Sequence, residues 1–393
     1  MDFKLTEEQL MLQQTAREFV QKEVKPVARE LDARTNPIDC FSWELLKKAS
    51  QVGFRTAVVP LEYGGGGLDL LSQVILTEEL AAADAGFGYV MCHAMHLSRV
   101  LFTTCNEEQK KEFLPKFMAD DNYLLAYGLT EPSGWTDKAL PYDAPGAAMD
   151  TFAEKKGDEY IINGTKVFIS NGAVAKLYII NARTNKELGI TKSWSQFLVP
   201  REAPGFSIGK VHNKLGMRFS PNAELILEDV HVPAKYLIGK EGNGYEQSMV
   251  TAAPGVITSK NACLVGAMRL CYEEALEYAK TRIGGGKPII EHHAIEMILA
   301  DMEGKIKAGR LLLWQCAWNV DNQNESDPKL AWLTKAFLDE IAVTVTTGAL
   351  EIFGGYGTDK DMPIEKCIRD VYNQLHGFGL RHFSLIKGSP NSK

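Results

Sequence analysis

Three histidines, His93, His96 and His376, are the side chains of this sequence best suited to moving protons near neutral pH. Imidazole changes charge close to physiological pH, so a histidine in a cleft serves as a base without special tuning. His93 and His96 share a face if the stretch from Glu79 to Arg99 is helical, and Cys92 stands beside them. His376 is followed by Gly377, in a glycine-flanked turn that could aim it inward. The spacing His93-x-x-His96 also fits two metal ligands, but no third ligand stands at a suitable distance, and no metal is expected. A histidine on a buried face is more often a hydrogen-bonded core residue, and for each of the three that plainer reading stays open.

These groups need elements to hold them, and 393 residues supply two or three domains. Hydrophobic residues at 45% and charged residues at 24% are ordinary for a protein with a large core. Thr6 with Gln9 forms a capping-box pattern, and apolar residues recur at helical spacing from Leu12 to Leu31. Ser42–Val52, Leu71–Ala83, Glu79–Arg99 and Glu107–Phe117 continue a helical first part. After Tyr127 the pattern changes to short apolar or alternating runs. Tyr160–Ile162 and Lys166–Ile169 read as two strands joined at a tight Asn163-Gly164 turn. Leu177–Ala182, Phe197–Val199, Phe206–Ile208 and Glu224–Leu227 read as further strands, and 138–150 as a loop. From about Tyr245 the helical period returns in Cys263–Arg282, His293–Asn319 and Leu330–Phe353, with Lys335 and Asp339 as an i,i+4 pair.

A formal net charge of −7 gives no general attraction to nucleic acid or anionic lipid, so neither is an expected partner. The seven cysteines are scattered without a CxxC pair, which points to a reduced compartment. The N-terminus has no signal-type or transit-type pattern, and no apolar run approaches the ~18 residues of a membrane span. A cytoplasmic location is expected.

Four segments carry a resemblance. They are Tyr127-Gly-Leu-Thr-Glu-Pro-Ser-Gly-Trp-Thr-Asp137; Tyr160 through Gly172 with Phe168-Ile-Ser170; Leu215-Gly-Met-Arg218 with Val232-Pro233 and Gly242-Asn-Gly244; and Ile352-Phe-Gly-Gly-Tyr-Gly357 with Pro363, Glu365-Lys366 and Arg369-Asp370. In this order they resemble the acyl-CoA dehydrogenase family over nearly the whole chain. The resemblance implies a mainly α fold with a middle β domain: a helical domain over 1–125, a β-barrel-like domain over 126–237 and a four-helix bundle over 238–393. It implies FAD, oxidation of a CoA thioester between Cα and Cβ, a homotetramer, and electrons leaving through an electron-transferring flavoprotein.

Matched motif by motif, Tyr127, Leu129, Thr130, Thr136, Phe168 and Ser170 would lie along the flavin ring. A second strip, from a neighbouring subunit in relatives, maps to Arg282, His292, His293, Glu351, Gly354 and Gly355, with His382 as a further contact. Thr136, Cys92 and His96 would face the substrate. The strip departs from the family at Gly285, where relatives carry phenylalanine, and at Glu351, where they carry glutamine. The base departs most. Counting on from Arg369-Asp370 puts the family's catalytic glutamate at Phe378, leaving only a backbone N–H there. The alternative base position maps to Val256, and the arginine after it to Ile257. Three readings follow: a dehydrogenase of a bulky or alicyclic acyl-CoA with a relocated base (His376 or His93), a flavin monooxygenase or elimination or decarboxylation enzyme on the same scaffold, and a non-catalytic partner subunit.

Overall fold

The computed structural model describes residues 4–135, 143–322, 327–377, 379 and 381–390. Thr136, Phe378 and residues 138–142 of the expected loop lie outside them.

Six helices build the first part: α1 (Glu7–Phe19), α2 (Lys25–Asp32), α3 (Trp43–Gln51), α4 (Leu70–Ala81), α5 (Ala85–Thr104) and α6 (Glu107–Ala119). The Thr6–Gln9 capping box is present, and Ser42, Asp69 and Asp84 each accept a backbone N–H at a helix start. The helix expected over Glu79–Arg99 is two helices. Asp84 breaks it, because its extended backbone and its bond from the Phe87 N–H favour a fresh N-cap over continuation. Helices α4 and α5 are buried nearly all round, as befits elements at the centre of the molecule.

The middle part is a curled seven-stranded sheet of β1 (Leu125–Gly128), β2 (Phe152–Lys156), β3 (Glu159–Ser170), β4 (Leu177–Arg183), β5 (Trp194–Pro200), β6 (Phe206–Val211) and β7 (Asn222–Pro233). The order is β1-β4-β2-β3-β7-β6, with β5 also on β4. The expected Asn163-Gly164 turn is absent: β3 runs straight through it, with a register shift against β7 between Ile162 and Gly164. Asn163 bonds Asp229 twice, at 3.0 and 2.8 Å, and Gly164 sits at φ 150 against Thr151, where a Cβ would come within 2.5 Å. The dipeptide serves a bulge instead of a turn, and the chain reverses at Gly157 (φ 62) between β2 and β3.

The last part returns to helix in α7 (Ala253–Thr281), α8 (His293–Asp321), α9 (Pro328–Phe353), α10 (Pro363–Gln374) and α11 (Arg381–Gly388), the last two unforeseen. A π-helical turn, Glu246–Ala252, leads into α7. Gly266 lets α7 lie on α4, since a Cβ there would stand 2.5 Å from the Glu78 carbonyl. Arg269 binds Glu78 and Glu79, Arg310 binds Glu78 and Arg17 binds Glu79, so one buried ionic cluster joins both helical parts. The Lys335–Asp339 pair forms at 2.6 Å, buried within α9. No helix among the described residues is long and apolar enough to cross a membrane.

Candidate active site

A cleft of about 690 Å³ opens where α5, the sheet, the start of α7 and the turn after α10 meet. Leu129, Thr130, Phe168 and Ser170 line one wall. Val167 N–H donates to the Thr130 carbonyl at 2.8 Å, which sets the 129–130 stretch beside β3. Phe168 holds a left-handed backbone (φ 56) and leaves 59% of its surface bare. Such a residue costs backbone energy and exposes a large apolar face, a combination that persists where something binds. Its ring stacks on His212 at 4.3 Å, and Asn222 donates to its carbonyl while keeping its own Oδ1 buried without a partner. A flat aromatic system fits this wall. Tyr127 also lines the cleft, but its hydroxyl is shared with Ser248 at 2.7 Å and Gln196 at 2.8 Å, and burial pushes its pKa up.

Helix α5 supplies the opposite floor. Tyr89, His93 and His96 recur at spacings of four and three and all face the cleft. His93 stacks on Tyr89 at 5.9 Å and meets the His96 ring edge-on at 4.7 Å. Both ring nitrogens of His93, and Nδ1 of His96, are buried without a hydrogen bond. Burial, then the Lys260 charge, hold both imidazoles well below the ordinary histidine range, so both are neutral. Lys260, on α7, lies 5.0 Å over the Tyr89 ring. Gln374, at the end of α10, donates to the Lys260 carbonyl at 2.8 Å. His376 stands exposed at the rim.

The expected role of Cys92 needs correction. One residue along a helix turns about 100°, which carries Cys92 off the histidine face and into contact with Ala81 and Cys263. It does not line the cleft. Cys92→Ala is therefore expected to leave turnover within about twofold of the parent, measured by steady-state assay.

A second groove, about 1060 Å³, is bounded by Arg282, His292, Gly354, Gly355, Tyr356 and Lys360 among others, and shares no lining residue with the first. The Arg282 guanidinium sits 5.3 Å over Tyr356. A Cβ at Gly354 or Gly355 would meet nothing within 4 Å, so both glycines border open space. His292 bonds the Gly284 carbonyl at 2.9 Å, and its ring lies 3.3 Å from where a Gly285 Cβ would be. The space beside the turn at Gly285 (φ 59) is thus occupied by the His292 ring. Three expected contacts are not brought to this groove. His293 is 96% exposed and paired with Glu296, because it faces away on the first turn of α8. Glu351 points to solvent from α9, and His382 is exposed on α11.

The chain matches the models of the acyl-CoA dehydrogenase N-terminal domain over residues 6–121, the middle domain over 126–230 and the C-terminal domain over 258–377. It is 37% identical to a short-chain-specific acyl-CoA dehydrogenase of Clostridium acetobutylicum, covering 94% of each chain. It is 31% identical to cyclohex-1-ene-1-carbonyl-CoA dehydrogenase of Syntrophus aciditrophicus, covering 94% of this chain and 86% of that one. The solved butyryl-CoA dehydrogenase of Megasphaera elsdenii superposes with a TM-score of 0.90 at 32% identity, over 99% of this chain and 98% of that one. The chain belongs to the acyl-CoA dehydrogenase family.

This acyl-CoA dehydrogenase is accordingly an FAD-dependent oxidoreductase acting on CH–CH donors, and its cleft wall of Leu129, Thr130, Phe168 and Ser170 fits the flavin. None of the described residues lining the cleft is an aspartate or glutamate. Val256 lines it as a hydrocarbon side chain, and Ile257 is buried in the α7–α9 core, far from any adenine-binding role. Sequence reasoning missed Lys260, Gln374 and Tyr89. Tyr89 was findable, one turn before His93; Lys260 also follows Val256 by one turn, but Gln374 gave no signal.

Proposed function

We propose that this enzyme desaturates a bulky or alicyclic CoA thioester, with His93 on α5 as the proton acceptor. The observation that carries this reading is a neutral, buried imidazole with both nitrogens unpartnered, in a cleft whose described lining holds no carboxylate. When bound, FAD supplies the acceptor for the hydride, so the acyl group loses one hydride and one proton and one carbon–carbon bond becomes double. His93 takes the proton on an unpartnered nitrogen. Its place on the floor favours a carbon away from the thioester, which a ring can bring within reach. Phe168, Leu97 and Met249 line the same cleft and give it apolar walls. His376, exposed at the rim, is a weaker candidate for the same task.

The reading includes a homotetramer, in which the groove around Arg282, Gly354 and Gly355 holds the far half of a FAD seated in a neighbour's cleft. Two separate cavities without a shared residue support that division. An electron-transferring flavoprotein is the proposed electron acceptor. The test is anaerobic bleaching of the bound flavin by a panel of straight and cyclic acyl-CoAs. Bleaching by cyclic members supports the proposal. Oxygen uptake without desaturated product would favour a monooxygenase, and protein purified free of flavin a partner subunit.

The pH dependence carries a sign. The groups facing His93 are His96 and Tyr89 on its own helix and Lys260 from α7, with Arg99 next to His96, and the pKa is lowered from 6.5. A base whose pKa is lowered stays unprotonated as pH falls through 6.5. The second-order rate constant for bleaching is expected to remain flat from pH 7.5 to below about 6, where an ordinary histidine would have lost more than half. A decline centred near 6.5 would speak against the buried His93 as the base.

A further inference from the structure

We infer that the acyl group bears a hydroxyl on the part that reaches the inner end of the cleft, bound where α5, α7 and α10 meet. The inference rests on the dehydrogenase reading and names the substrate class for the same site. Four buried polar atoms on residues of this cleft have no hydrogen bond: His93 Nδ1 and Nε2, His96 Nδ1 and Gln374 Oε1. All three residues line the cleft, and they come from two helices, α5 and α10, that Lys260 and the Gln374–Lys260 hydrogen bond tie to α7. Leaving such atoms bare beneath a plain hydrocarbon ring is costly, since each has lost water and gained nothing.

The set of atoms says what would satisfy them. A neutral imidazole offers one N–H and one lone pair, and an amide oxygen offers only lone pairs. The ligand must both donate and accept. A hydroxyl does both. A carboxylate only accepts, so it would face the Gln374 oxygen and one lone pair of His93 unless His93 took up a proton. His93 protonated is no longer a base. A ketone leaves the Gln374 oxygen without a donor. The hydroxyl also has a consequence for proton transfer: accepting from one nitrogen of His93 fixes the tautomer and leaves the lone pair on the other. That places specificity and proton acceptance on opposite edges of one ring.

The test compares dissociation constants, measured by calorimetry with the FAD-loaded enzyme, for cyclohexanecarbonyl-CoA and its ring-hydroxylated and ring-carboxylated counterparts. The hydroxylated compound is expected to bind at least about tenfold more tightly than the unsubstituted one. In Gln374→Leu and His96→Phe the ratio of the two dissociation constants is expected to fall below about threefold. Equal affinities, a preference for the carboxylated ring, or a hydroxyl preference unchanged in both variants would each overturn the inference. Bleaching by the unsubstituted ring without any hydroxyl preference would leave the dehydrogenase standing and sink this inference alone. Hydroxyl-dependent binding with no bleaching by any ring would do the reverse.

Discussion

His93→Gln is expected to slow flavin bleaching by about 10²- to 10⁴-fold, the usual worth of a positioned general base. Glutamine keeps polar atoms on α5 and nearly the same volume, so the floor is expected to hold and FAD content to match the parent. Stopped-flow bleaching under anaerobic conditions separates this step from electron transfer onward. His376→Ala is the matched control. Its side chain is exposed at the rim, outside the buried floor, and its loss is expected to change the bleaching rate by no more than about threefold. A His93→Gln enzyme that bleaches at the parental rate would sink the relocated base. Neutral His93 sits in a site where Lys260 opposes its charged form, so the proton it accepts is not held for long. The same field makes it a weak base in the empty cleft, which places the burden on substrate contacts to set its geometry.

The outline of the fold was legible because its signals are local and repeated. The Thr6–Gln9 capping box and the long helical periods after Tyr245 each report on their own neighbourhood, and each formed as expected. Asn163-Gly164 misled because a residue pair that permits positive φ serves a turn and a bulge equally; long-range pairing with Asp229 decided between them. Asp84 was missed as a break because one N-cap inside an apolar run leaves the period unchanged. The ordered motifs picked out Leu129, Thr130, Phe168 and Ser170, which the fold brings to one cleft wall. The floor was only half readable. His93 and His96 stood out by chemistry, but Cys92 was misassigned by ignoring the 100° between neighbours on a helix. Lys260 and Gln374 arrive from helices 160 residues and more away along the chain, and nothing local marks them as neighbours of His93.

The same long-range geometry gives Lys366→Met the largest expected effect on stability. Lys366 is buried on α10, 2.7 Å from Asp84 and 2.6 Å from Asp370. Burial opposes its charge, yet the two carboxylates hold its pKa well above the usual lysine range. Asp84 is also the N-cap of α5, and Asp370 accepts the backbone N–H of Met217 from the loop that lines the cleft. One ammonium therefore ties together the helix that carries His93, the helix that carries Gln374 and the loop between sheet and bundle. Methionine fills the volume but strands two buried carboxylates, and breaking a buried pair in this way costs about 3–5 kcal/mol. Lys214, half-buried nearby with its pKa pushed down to about 8 by desolvation, feels both carboxylates but donates to the Met217 carbonyl, so it offsets only part of the loss. Urea unfolding of the FAD-loaded protein is expected to show the midpoint falling with the slope unchanged. Adding Asp84→Asn to Lys366→Met is expected to recover part of the loss, because one stranded charge is removed while the asparagine still caps α5. A Lys366→Met protein as stable as its parent would mean that the two carboxylates are neutral in the fold, and that α5 and α10 are registered by packing alone.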